Sequence, residues 1–202
     1  MTIYEPETEW VRANTRLFDG DNRGRTYVDL GCGHPERFSQ TRICRDFSWR
    51  GLAIDGNHDY WVDWEMAGHA SHFCCAILSD QPTARFSIHE NSFTSRLCPH
   101  GEEHPEKWGI SRILESESVQ PLNEILAAHE IGKIHFLTAD LEGTEFSVIQ
   151  TLDFEKHAPD VIVAEYNTSE IGIDPRLCNF LLTKGYRVAQ QFPSNLIYIR
   201  NL

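Results

Sequence analysis

The sequence is short of basic charge, of long apolar runs and of any disulfide-like cysteine pattern. No apolar stretch among its 202 residues approaches the ~20 needed to span a bilayer. The opening MTIYEPETEW is acidic and polar, unlike a signal peptide. Lys and Arg number 18 against 30 Asp and Glu, a formal net charge of −12. A nucleic-acid backbone or an anionic membrane surface demands clustered cations, so neither is an expected partner. The six cysteines (Cys32, Cys44, Cys74, Cys75, Cys98 and Cys178) are scattered through a chain long enough to bury a core, unlike the stapled framework of small secreted domains. They read as reduced thiols, and the expected location is cytoplasmic. Repeats and low-complexity segments are lacking as well.

What is present is an alternation of strand-like and helix-like segments. Strands are predicted at 26–31, 50–55, 71–77, 133–140 and 159–166, with a further alternating strand at 85–90. A closing hairpin of two strands is predicted around Pro193. Helices are predicted at 8–18, 38–47, 58–68, 121–132, 143–152 and 175–186. Strands interleaved with helices imply a mainly parallel sheet covered on both faces, and runs such as VIVA and IHFL suit strands buried on both sides. One domain over 1–202 is expected, with an N-terminal helical segment (1–22). The polar stretch 91–118, which carries CPHGEEHPEK, reads as a variable substrate loop or lid.

In such sheets the ligand lies beyond the carboxyl ends of the strands. The first strand ends Asp29-Leu30-Gly31-Cys32-Gly33. Its two glycines permit a sharp turn and close backbone approach to a ligand. The third glycine of a dinucleotide fingerprint is replaced by Glu36, a negative charge where a diphosphate needs amides. The second strand ends in Asp55, positioned to accept hydrogen bonds from ribose hydroxyls. A ribose-binding acid beside a loop that repels phosphate suggests a nucleoside without phosphates, of which S-adenosylmethionine is the common cofactor, and Asp29 stands where it helps hold the cationic methionine amine. Two later strands end at Asp140, closely followed by Glu142, and at Glu165. Carboxylates at such a rim can orient a substrate or take a proton.

These residues resemble the FkbM-type branch of class I S-adenosylmethionine-dependent methyltransferases. The resemblance rests on YVDLGCGHPERFSQT, on WRGLAIDGN and on FLTADLEGTEFSVIQTLDF followed by PDVIVAEY. The last block is similar to the family's Asp-x-Glu-Gly-x-Glu signature, and Ser39-Gln40-Thr41 resembles a Ser-Asn-Thr triplet of one branch. His34-Pro35-Glu36 and Asp55-Gly56 depart from the usual small residues and Glu-Pro. The resemblance implies a Rossmann-like class I methyltransferase fold: a mainly parallel seven-stranded sheet, helices on both faces and an antiparallel last strand. It also implies a cofactor site drawn from Asp29, Gly31, Cys32, Gly33, Ser39, Thr41, Asp55, Gly56, Asn57, Ala76, Ile77 and Asp140.

Methyl transfer to a hydroxyl of a sugar, glycan or small metabolite is the expected activity, with Asp140, Glu142 or His89 as the base. The degenerate, non-catalytic nucleoside binder and the NAD(P)-dependent oxidoreductase stay open as alternatives, as does a homodimer. No metal site is expected. In His69-x-x-His72-x-Cys74-Cys75 a strand points the two cysteines apart. His100 to His104 spells H-x-x-E-H, but Gly101 and the flanking prolines deny it the helix that pattern needs. Tyr60, Trp61 and Trp64 read as the buried face of a helix, with a cover for adenine as the other reading. Ser92, Thr94 and Ser95 are candidate partners for a polyhydroxylated acceptor.

Overall fold

The computed structural model describes residues 4–89, 95–98, 110–116, 119–168, 172–173 and 175–201. In chain order its elements are α1 (Pro6–Asn14), β1 (Thr26–Leu30), α2 (Arg42–Asp46), β2 (Arg50–Asp55), α3 (Tyr60–Met66), β3 (Phe73–Cys75), β4 (Ala84–His89), β5 (Arg96–Cys98) and β6 (Ile110–Ser116). Then follow α4 (Leu122–Ala128), β7 (Phe136–Ala139), α5 (Glu145–Ile149), β8 (Val161–Glu165), β9 (Asn167–Thr168), β10 (Gly172–Ile173), α6 (Pro175–Thr183), β11 (Tyr186–Gln191) and β12 (Asn195–Arg200).

Seven strands form the main sheet in the order β11-β12-β8-β7-β1-β2-β3. Only β12 opposes its neighbours, pairing antiparallel with β8 and β11; the pairs from β8 through β3 are parallel. This is the mainly parallel seven-stranded sheet with an antiparallel last strand that the family resemblance implies.

The central strands are apolar throughout because both faces are covered. Side chains alternate across a strand, so Val28, Leu30, Leu137 and Ile162 join one core with α4 and α6. Tyr27, Phe136, Val161 and Val163 join a second core with Val11 of α1 and Ile43 of α2. Each such fully buried aliphatic chain contributes roughly 1.5–3 kcal/mol. No helix among the described residues is long and apolar enough to cross a membrane, and Cys32, Cys44, Cys74, Cys75 and Cys178 are free thiols.

Three local expectations are corrected. The predicted helix at 38–47 begins only at Arg42, because Phe38 holds a left-handed φ of 57° that no helix accommodates. Residues 31–41 are therefore a loop between β1 and α2. The predicted strand at 71–77 is shortened to Phe73–Cys75, preceded by a turn of 3-10 helix at Ala70–His72. The stretch 91–118, expected to be irregular, supplies β5 and β6, which flank β4 in a separate antiparallel sheet. That small sheet owes its place to its apolar side: Ala84, Phe86, Ile88 and Leu97 pack on Ile77 and Val119. The motif at 100–104, with Ser92 and Thr94, lies outside the described residues.

Candidate active site

A cavity of about 240 Å³ opens at the carboxyl ends of β1, β2 and β7. Its floor is the tip of β1. Gly31 and Cys32 both donate their N–H groups to the Ile54 carbonyl of β2 (2.8 and 3.2 Å), and Asp140 at the end of β7 donates to the Leu30 carbonyl (2.9 Å). The strand ends are thereby laced together, and Gly31 passes so close to Asp140 that only a residue without a side chain fits.

Asp55 closes the second side. One carboxylate oxygen accepts the Gly33 N–H (3.0 Å) and the other the Asn57 N–H (2.8 Å). A carboxylate offers about four lone-pair sites, so two remain for a diol. Burial, offset in part by these two bonds and reinforced by Asp29, lifts the Asp55 carboxyl to about 6. Apolar walls come from Ala76, Ile77 and Leu78 after β3 and from Phe86 of the small sheet. A Cβ at Gly56 would lie 2.9 Å from the Phe86 ring, so the bare Gly56 and the Phe86 ring are one packing solution.

The loop 31–41 is fixed from beneath. Buried Arg45 donates to the Pro35 carbonyl and to the hydroxyls of Ser39 and Thr41, and its guanidinium lies 4.7 Å from the centre of the Trp64 ring. Trp64 in turn donates its indole N–H to the Gly33 carbonyl (3.0 Å). The His34 ring nitrogen accepts the N–H groups of Glu36 and Arg37. Charged hydrogen bonds of this kind are worth about 1.5–3 kcal/mol each. Arg45→Met should therefore lower unfolding free energy by at least about 2 kcal/mol in a urea titration, and a loss under about 0.5 kcal/mol would show that the anchors are idle.

The third side is acidic. Glu145, the first residue of α5, accepts the N–H groups of Leu141 (2.7 Å) and Gly143 (3.2 Å) and so folds the 140–144 turn around itself. Carboxylate oxygens of Asp140, Glu145 and Glu165 lie within 4.8 Å of one another, close enough to share a proton or to ligate a divalent cation. Asp140 opens to the cavity, yet burial first, then Glu142, Glu145, Asp29 and Asp55, push its carboxyl up to about 8. Burial followed by Asp140, Glu145 and Glu142 lifts Glu165 to about 9.

A sequence profile described as the methyltransferase FkbM domain matches residues 22–188. The chain belongs to that family. The fold is similar to a crystal structure of the methyltransferase FkbM from Methylobacillus flagellatus KT, at 14% identity and a TM-score of 0.56, over 98% of this chain and 48% of that one. The chain thus spans about half the length of that relative. The METTL16 methyltransferase domain (12% identity, TM-score 0.47) and human methyltransferase 10 domain containing protein (10%, 0.48) each align over 96% of this chain and 78% of their own. No curated protein matches the sequence significantly.

Within this FkbM domain the cavity gathers Gly31, Cys32, Gly33, Asp55, Gly56, Ala76, Ile77, Asp140 and Glu142 from the residues expected on sequence grounds. Five others lie elsewhere. Asp29 is buried below the floor, where its two oxygens accept the Thr41 and Thr138 hydroxyls (2.6 and 2.7 Å). It lines a smaller neighbouring cavity that shares Gly31, Cys32, Phe38 and Asp140 with the first. Ser39 and Thr41 serve as loop anchors, and Asn57 is buried and accepts the Asp59 N–H. His89 is buried on β4 with its ring 2.9 Å from the Ser87 hydroxyl and does not line the cavity. His69, His72, Cys74 and Cys75 do not form a metal-ligand cluster; Asp140, Glu145 and Glu165 are the only such group among the described residues.

Tyr60 is buried in a core with Trp64 and Phe73 and also lines the cavity; Trp61 is partly exposed. Sequence reasoning missed Arg37, Phe38, Phe86 and Glu145. Only Glu145 carried a signal, as the final acid of the Asp-x-Glu-Gly-x-Glu block.

Proposed function

We propose that this cavity binds S-adenosylmethionine and that the protein methylates a hydroxyl of a small-molecule or glycan acceptor. The observation that carries the reading is the meeting of the β1 glycine tip with the half-satisfied Asp55 carboxylate. The free acceptor sites of that carboxylate suit the diol of a ribose, while the apolar wall of Ala76, Ile77, Leu78 and Phe86 suits a purine. A dinucleotide suits it less. Loop 31–41 removes the start of α2 from the glycines, and Glu36, paired with Arg42 at 3.0 Å, sits where a diphosphate would need amides.

When bound, S-adenosylmethionine supplies an electrophilic methyl on a sulfonium. The chain's part is to align an acceptor and exclude water, and to take the hydroxyl proton. Asp140 is the favoured base, since its raised affinity for a proton makes its ionised form a better acceptor; Glu142 stands beside it at the rim.

Calorimetry with S-adenosylhomocysteine tests the reading. Wild type should bind, and Asp55→Asn should weaken binding by about 10-fold or more, the worth of one charged hydrogen bond. An unchanged affinity in that variant would remove Asp55 from the nucleoside site.

A further inference from the structure

The cavity carries two exposed residues on its lining, Arg37 and Phe38. Phe38 is 72% exposed and lines both cavities. It does so with a φ of 57°, a conformation that bulky side chains avoid unless the surroundings impose it. The surroundings do impose it: Arg45, bonded to Pro35, Ser39 and Thr41, clamps the loop on both sides of Phe38. The clamped loop thus presents much of a large apolar ring to whatever enters the cavity.

Its neighbour Arg37 also lines the cavity and is exposed. Its backbone is pinned by His34, and among the described residues no carboxylate forms an ion pair with its guanidinium. In a chain of net charge −12 whose adjacent Glu36 is already paired with Arg42, an uncommitted guanidinium beside an outward ring is a recognition pair. The ring offers a face for stacking or for the C–H edge of a sugar, and the planar fork matches an anion bidentately.

We propose that Arg37 and Phe38 form the acceptor subsite, and that the acceptor is a ring-bearing hydroxyl compound carrying a single carboxylate, of which a uronic acid glycoside is the simplest form. This rests on the methyltransferase reading and names its acceptor class. A single carboxylate fits better than a doubly charged phosphate, because Glu142 lines the same cavity and repels each added negative charge. Arg37 and Phe38 are exposed whereas Gly31, Cys32, Gly33 and Asp55 are half-buried or buried, so the pair is assigned to the acceptor and the strand tips to the nucleoside.

The test compares 4-nitrophenyl β-D-glucuronide with 4-nitrophenyl β-D-glucoside by calorimetry on the full chain, with and without saturating S-adenosylhomocysteine. The two probes share both rings and differ only at one carbon, a carboxylate in the glucuronide and a hydroxymethyl in the glucoside. The glucuronide is expected to bind about 10-fold tighter. Arg37→Gln should reduce it to the level of the glucoside, and Phe38→Ala should weaken both probes alike. Arg37→Gln should leave S-adenosylhomocysteine affinity within about twofold. Equal binding of the two probes, binding of neither, or a preference that survives Arg37→Gln overturns the proposal. So does an Arg37→Gln variant that loses S-adenosylhomocysteine instead, since Arg37 would then hold the donor's own carboxylate. If wild type fails to bind S-adenosylhomocysteine, the nucleoside reading falls, and the glycoside titrations without it still decide the subsite.

Discussion

Gly31→Ala is expected to lose more than about 4 kcal/mol of stability or to fail to fold. Two effects act at once. The glycine has a φ of 75°, which an L side chain adopts at a cost of about 1–2 kcal/mol. Its added Cβ would then fall 1.7 Å from the Asp140 carbonyl oxygen. That neighbour is backbone, tied by its own N–H to Leu30, so it cannot swing aside as a side chain would. Relief requires β1 and β7 to separate at the point where the cavity floor is made. Urea unfolding measures the loss, and calorimetry with S-adenosylhomocysteine reads the floor directly. An alanine variant within about 1 kcal/mol of wild type that keeps its nucleoside affinity would show that the strand ends are not locked as described.

Asp140→Asn should cost activity and gain stability, and the two effects have one cause. Asparagine cannot take a proton, so methyl transfer to a glycoside acceptor should fall by about 10²-fold or more, while the wild-type rate should climb with pH toward about 8 as the carboxyl ionises. Stability runs the other way. In the unfolded chain an Asp releases its proton near 3.9, whereas burial and the surrounding acids hold it on in the folded protein until about 8. Between those values the folded state binds the extra proton, so stability falls as pH rises through that window and stays at its lowest above it. Asparagine removes the penalty and also relieves Glu165, whose carboxyl is raised by burial and then by Asp140. The variant's Tm should match wild type near pH 4 and exceed it at pH 8–9. A Tm difference independent of pH would mean that Asp140 is not forced to hold its proton.

Much of this arrangement was legible because it depends on local covalent limits and on alternation. Consecutive apolar residues in β1, β7 and β8 can be buried only if both faces are covered, so the sequence predicts the parallel layered sheet. Gly31, Gly33 and Asp55 follow from what a strand tip must do to let a ligand approach. Asp29 and His89 do not line the main cavity, for a shared reason. A polar residue at a strand end looks the same in sequence whether it faces a ligand or satisfies a neighbour. Asp29 is claimed by two threonines, Thr138 from the next strand and Thr41 from the loop, and His89 stands beside Ser87 within its own strand.

The chain's own order of residues determined the layered architecture, the closing hairpin, the glycine tip and the row of acids at the rim, since each follows from periodicity or from the turn and backbone chemistry of one segment. Tertiary structure alone decided that β4 stands in a sheet of its own and walls the cavity with Phe86, and that Glu165 of β8 joins Asp140 and Glu145 in one acidic group. The reason is range: those outcomes depend on groups brought together across long stretches of chain, such as the Phe86 ring against Gly56, whose meeting no local pattern encodes.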